Sequence, residues 1–106
     1  MANVLINAPK TARRGEVVEI KALILHPMET GFRPGPNGRI IPRNIIERFV
    51  ATWNGTEIFN MALSPAIAAN PFVSFFAVAR ESGTIGFRWT GDEGFVVEEQ
   101  VAITVA

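Results

Sequence analysis

The sequence predicts an all-β fold, a single immunoglobulin-like β-sandwich of about seven antiparallel strands. Three observations carry this. Apolar residues recur at every second position and not at the 3.6-residue spacing of a helix. Asn54-Gly55 stands between two such runs, and this pair is the strongest short hairpin signal, because a type I′ turn needs positive φ at both central residues. Pro27, Pro42, Pro65 and Pro71 fall at the ends of runs, where a missing N–H does least harm.

The elements follow in order. "NVLINA" gives a strand over 3–8. In "GEVVEIKALIL", Val18, Ile20, Ala22 and Ile24 share one face, while Glu19 and Lys21 share the other with Val17, Leu23 and Leu25. That is a strand over 16–26, half-exposed at its start. "IIERFVATW" sets Phe49, Ala51 and Trp53 on one face, for a strand over 44–53. The Asn-Gly turn leads into 56–62. "FVSFFAVA" marks 72–80, and "TIGFRWT" alternates Ile85, Phe87 and Trp89 over 84–90. "GDEG" is a turn. The last run, 95–105, alternates Val97, Val101, Ile103 and Val105 against Glu98, Gln100 and Thr104, with Glu99 breaking the inward row. Trp53 and Trp89 are the expected large core residues. The chain holds no cysteine and no tyrosine, so an inter-sheet disulfide and a tyrosine corner are both excluded.

Its 106 residues suffice for one domain, 1–106, that buries roughly two thirds of its unfolded surface without disulfide or metal. Residues 58–79 carry no charge and are long enough to span a bilayer, but Asn60, Pro65, Asn70 and Pro71 interrupt them. Two strands and a crossing loop are expected there. No secretory signal is visible at the start. Zero net charge argues against nucleic acid as partner. The charge is nonetheless split. Residues 1–43 carry seven basic and three acidic side chains, or +4, and residues 44–106 carry the reverse, or −4. Either the halves pair within one fold, or they make a dipolar surface that docks a charged partner.

Catalytic chemistry finds little support. His26 is the only histidine, and metal sites recruit several His or Cys ligands. Its plain reading is a strand-end side chain bonded to a loop carbonyl. Ser64, Ser74 and Ser82 lack a nucleophile-elbow setting. Asp92-Glu93 reads as a solvated turn, Glu98-Glu99 as a charged strand edge, and Asn54-Gly55-Thr56 as a hairpin before a glycosylation sequon. The chain reads as a binding or scaffold module with no catalytic residue, metal or cofactor.

Residues 26–42, "HPMETGFRPGPNGRIIP", hold four of the seven prolines, three of the nine glycines and the one histidine. Prolines reduce the entropy lost on fixing a loop. With Met28, Phe32, Ile40 and Ile41, the loop is either a docking surface or a flap folded over its own core.

Together with "WNGTEIF" and "AIAANPFVSFFAVARESGTIGFRWTGDEG", the segment "HPMETGFRPGPNGRIIPRNII" resembles the Z subunit of the SoxYZ sulfur carrier. The strongest pieces are His26 to Gly31 and Ala69-Asn70-Pro71-Phe72, and the likeness runs from Gly15 to the C-terminus. The resemblance implies a non-catalytic sandwich that pairs with SoxY. That subunit's cysteine, on a glycine-rich C-terminal arm, carries thiosulfate-derived sulfur to the Sox enzymes. It also implies a periplasmic location, reached by export with the signal-bearing SoxY. Absence of cysteine fits this, since a thiol here would exchange with the loaded one. The residues expected to contact SoxY or the incoming enzymes are His26, Met28, Phe32, Arg33 and Arg39 from the loop, and Asn70, Pro71 and Phe72 from the second motif. Phe32 and Phe72 are the apolar anchors. Arg33, Arg39 and Arg43 are candidates for steering acidic partners or sulfur oxyanions. Without SoxY, an apolar partner face is expected to favour a homo-oligomer. The alternative of a different class is an immunoglobulin-like adhesion or accessory module of an exported assembly unrelated to sulfur.

Overall fold

Alternation of apolar and polar residues sorts the chain into seven strands, and a short eighth joins them. In the computed structural model, which describes residues 3–106, these are β1 (Val4–Asn7), β2 (Thr11–Ala12), β3 (Val17–Ile24), β4 (Ile46–Trp53), β5 (Thr56–Ala62), β6 (Phe72–Val78), β7 (Gly83–Gly91) and β8 (Val96–Val105). They form a three-stranded sheet, β1-β3-β6, and a five-stranded sheet, β2-β8-β7-β4-β5. The architecture is the expected immunoglobulin-like β-sandwich. All pairings are antiparallel except β2–β8, which is parallel through Thr11–Thr104 and Ala12–Val105. This two-residue strand is absent from the sequence reading. It has no room for alternation, and its partner lies at the far end of the chain.

The uncharged stretch resolves as expected into β5, a loop and β6, which lie in different sheets. No helix is long and apolar enough to cross a membrane among the described residues.

The sheets meet through aromatic rings. Phe49 is fully buried and lies 5.0 Å from Trp89 and 6.2 Å from Phe87, all from the larger sheet. Phe75 from β6 reaches across to Phe49 (6.2 Å, edge-on) and stacks on Phe59 at 4.6 Å. Val18, Ile20, Ala22 and Ile24 fill the rest from β3, all on the face that the period-two pattern assigns them. Both tryptophans are buried, and the Trp53 indole N–H donates to the Glu81 carbonyl at 2.9 Å.

The β4–β5 turn has φ of 51° at Asn54 and 83° at Gly55, as a type I′ hairpin requires. Its asparagine does more than turn. Asn54 Oδ1 accepts the Thr84 N–H at 2.8 Å, and Nδ2 donates to the Ser82 carbonyl at 3.1 Å. The β4–β5 turn is thereby tied to the β6–β7 turn. A Cβ at Gly83 would overlap that amide, so glycine is needed there for space.

The molecule measures 59 × 20 × 19 Å. Its ten-residue longest strand accounts for only about 33 Å. The residues between β3 and β4 extend the long axis.

Replacing Phe49 with Ala removes the ring that both sheets share. Urea unfolding of Phe49→Ala should show a loss of about 3–5 kcal/mol. A loss within about 1 kcal/mol would mean that the inter-sheet contact is not where the stability resides.

Candidate functional site

Residues 25–45 leave β3 and return to β4 as an irregular hairpin. Glu29 and Asn44 exchange both backbone hydrogen bonds at 2.8 Å. Further out, the Ile41 N–H donates to the Arg33 carbonyl (2.9 Å), and the Gly35 N–H donates to the Arg39 carbonyl (2.6 Å). The tip is a 3-10 turn at Pro36–Gly38, with φ of 65° at Asn37 and 72° at Gly38. Gly31 has φ of 88° and lies against Arg43, where a Cβ would sit 2.9 Å from Arg43 Cβ. This ribbon projects: Phe32 is 80% exposed and Ile40 56%. Of the two possibilities for the loop, a core flap is excluded for its outer half.

Its base is a different matter. His26 and Met28 are buried. The His26 N–H donates to Asn70 Oδ1 (2.9 Å), and the Asn70 N–H donates back to the His26 carbonyl (2.8 Å). His26 Nδ1 accepts the Met28 N–H at 2.9 Å, which holds Met28 at a φ of 51°. Met28 Sδ in turn lies 3.3 Å from the Ile46 N–H. The imidazole meets the Phe95 ring edge-on at 4.9 Å. Nδ1 thus accepts a loop amide, and the Asn44 side chain is the imidazole's other hydrogen-bond partner.

Charge fixes the other side of the base. Arg43 binds Asp92 through two hydrogen bonds of 2.7 and 2.9 Å and approaches Glu47 at 3.4 Å. The Asp92 carboxylate also accepts the Ile45 N–H at 3.1 Å, and the Asp92 N–H donates to the Ile45 carbonyl at 3.0 Å. Arg43 holds the Asp92 carboxyl below its ordinary range, with the Ile45 N–H acting in the same direction. The Arg33 guanidinium grips Glu29 through two bonds of 3.0 Å and depresses its carboxyl likewise.

Three of the eight expected contact residues therefore face inward. His26, Met28 and Pro71 are buried against the chain itself. Asn70 is exposed, but its polar groups clamp the loop, and its φ of 54° suits an asparagine. Phe32, Arg33, Arg39 and Phe72 are at the surface. Arg33 and Arg43 are engaged in ion pairs, whereas Arg39 has no ion-pair partner among the described residues. The two sequence motifs do meet, at the His26–Asn70 clamp. Asp92, Asn44 and Phe95 belong to the same assembly and were not singled out for it. The usable signal was the charge split, since Arg43 of the basic half pairs with Asp92 of the acidic half.

A second apolar feature lies on the open side of the sandwich. An apolar groove of about 480 Å³ runs between the edge strands β5 and β6, lined among others by Val17, Trp53, Ile58 and Phe76.

These observations define a class of protein: an immunoglobulin-like β-sandwich carrying a stiff hairpin, with the polar groups at the base serving its own backbone. The sequence profile described as sulphur oxidation protein SoxZ matches residues 6–102, and the chain belongs to that family. Membership ties it to sulfur oxidation. Among curated proteins, none matches significantly by sequence. Solved structures show the same fold. The superoxide reductase (neelaredoxin) from Ignicoccus hospitalis superposes with a TM-score of 0.73 at 17% identity, covering 97% of this chain and 80% of that one. The sulfur carrier protein SoxY from Chlorobium limicola f thiosulfatophilum gives 0.69 at 12% identity, covering 97% and 78%. The CARDB domain of the PF1109 protein from Pyrococcus furiosus gives 0.57 at 16% identity, covering 100% and 94%.

Burial pushes the His26 imidazole below its ordinary value of 6.5, outweighing the Asn44 hydrogen bond and the Asp92 charge, which pull it up. A protonated Nδ1 would also turn a donor toward the Met28 N–H. The unfolded chain therefore takes up this proton more readily than the folded one. His26 contributes stability that is present above its unfolded value of 6.5 and is lost as pH falls through the lower folded value. NMR titration of the lone imidazole should give a midpoint below 6.5, and the melting temperature should fall in the same window. A midpoint at or above 6.5 would contradict the buried, neutral assignment.

Proposed function

We propose that the chain is the non-catalytic subunit of a SoxYZ-type sulfur carrier in the periplasm. It pairs with SoxY, whose cysteine carries thiosulfate-derived sulfur, and helps present that cysteine to the Sox enzymes. The observation that carries this is the combination of a stiffened hairpin and an exposed apolar rim. The base of the hairpin is held by His26, Asn70 and Asp92, while Phe32, Ile40 and Phe72 stay in water. A surface ordered before binding loses less entropy when a partner arrives. Large exposed aromatics are the residues that dominate interfaces once desolvated.

Family membership supports the sulfur-oxidation context. Sequence adds the absence of any thiol, which leaves the partner's cysteine without a competitor on this chain. Of Arg33, Arg39 and Arg43, Arg39 is the one without an ion pair among the described residues, and it is the one of the three available to steer an acidic partner or a sulfur oxyanion. The chain reaches the periplasm in this reading by export with SoxY.

The test is calorimetric titration with SoxY, backed by intact mass of the complex. A 1:1 complex with sulfur adducts on SoxY, and none on the 11.6 kDa chain, is expected. Phe72→Ala should weaken binding by about thirtyfold, the effect of one hot-spot aromatic, with an unchanged melting temperature. Unaltered affinity for SoxY together with undiminished service to every Sox enzyme would remove Phe72 from the contact set.

A further inference from the structure

The outer face of the three-stranded sheet is apolar where water should make it polar. Among the described residues, Leu5 is 68% exposed, Val17 62%, Phe72 59% and Phe76 66%. All four lie on this one face. Strand register sets them in rows across the sheet. Val17 lies beside Val78, and Glu19 beside Phe76. Lys21 lies between Asn7 and Ser74, and Leu23 lies between Leu5 and Phe72. The face thus has apolar residues at both ends, and a middle in which Glu19 and Lys21 lie among Phe76, Asn7 and Ser74. In this middle, Lys21 Nζ is 3.9 Å from Glu19 Oε1, and the Ser74 hydroxyl donates to Glu19 Oε2 at 2.8 Å.

This order is self-complementary. A two-fold axis in the plane of the face, crossing β3 between Glu19 and Lys21, turns the row order over. It sets Glu19 of one copy over Lys21 of the other, twice. It also sets Val17 over Leu23 and Val78 over Phe72, while Phe76 falls over Ser74 and Leu5 over no residue of β1. Strand spacing makes the face about 27 Å long and about 14 Å wide. That is smaller than the roughly 800 Å² per partner of a standard complex, so the contact is a modest one.

We propose that this face pairs with a second copy of the chain, face to face, with Glu19 and Lys21 setting the register. An isologous contact needs one patch that fits itself, and this patch does so in its Glu19–Lys21 charges and in the Val17–Leu23 and Val78–Phe72 rows. The inference concerns the chain in the absence of SoxY. Phe72 lies in the covered row, so a second copy and a partner bound through Phe72 exclude each other.

Sedimentation equilibrium of the purified chain, without any partner, tests it. The wild-type chain should show a monomer–dimer equilibrium. Lys21→Glu sets two acidic side chains against Glu19 of the other copy, and should weaken the dimer by about tenfold or more. Glu19→Lys should do the same with two basic ones. The two single variants mixed should form a heterodimer with each other, because every facing pair is then opposite in sign. Near-ultraviolet circular dichroism of Trp53 and Trp89 verifies that each variant is folded. A wild-type chain that stays monomeric at the highest attainable concentration overturns the proposal. So does a dimer indifferent to both charge reversals, or a mixture of the single variants that fails to associate.

Discussion

Backbone amides in the segment between β3 and β4 have left the sheets, and those shut away from water must find acceptors elsewhere. The loop end of the molecule is arranged around this requirement. His26 supplies an acceptor nitrogen to Met28, Asn70 supplies a mimic of a strand to His26, and Asp92 supplies a carboxylate to Ile45. No buried polar side-chain atom is left without a partner among the described residues. The consequence is mechanical. With its base fixed in this way, the ribbon beyond Glu29 holds its shape through the Ile41–Arg33 and Gly35–Arg39 backbone bonds and the Pro and Gly residues of its tip. Side chains that would serve as ligands or catalysts are instead consumed as backbone acceptors.

The same requirement explains which parts of the molecule could be read from its sequence. Strands with one buried face announce themselves, because alternation at period two is local. Val18 to Ile24 and Ile85 to Trp89 are visible without knowing what they pack against. Asn54-Gly55 is local too, since positive φ is a property of the residues themselves. The clamp is not. Asp92 binds Arg43 across a separation of 49 residues, and nothing beside Asp92 distinguishes it from a solvated turn. The burial of His26 and Met28 was not legible for a related reason. Pro and Gly density marks a loop, but burial within a loop depends on what closes over it, here Phe95 and Ile46. Phe32, Arg33, Arg39 and Phe72 lie at the surface because the ribbon and β6 have no layer above them in this chain.

Charge tells a similar story at larger scale. The +4 and −4 halves are not two poles of a docking surface alone. Arg43 and Asp92 join them directly at the loop base. Arg88 and Glu98 face each other across β7 and β8. The outward side of the larger sheet is thereby polar: Arg48, Arg88, Glu98 and Gln100 are all exposed. A sheet face of this kind is settled in water.

The smaller sheet lacks that protection, and the lack is sharpest at its edge. β6 reads "FVSFFAV", without charge, proline or glycine, and its outer backbone is unpaired in this chain. Uncharged apolar edge strands invite pairing with other chains. The opposite edge strand of the larger sheet, β5, carries Glu57 and Asn60, both exposed. Two edges of one molecule are therefore treated differently. Glu19 and Lys21 are the only charges on the face that β6 borders, and they sit in its middle, where they choose a register without keeping partners away. A chain selected to remain alone would carry its charge at the rim, on β6 itself. Here the charge is central and the rim apolar, which is the arrangement of a surface meant to be covered.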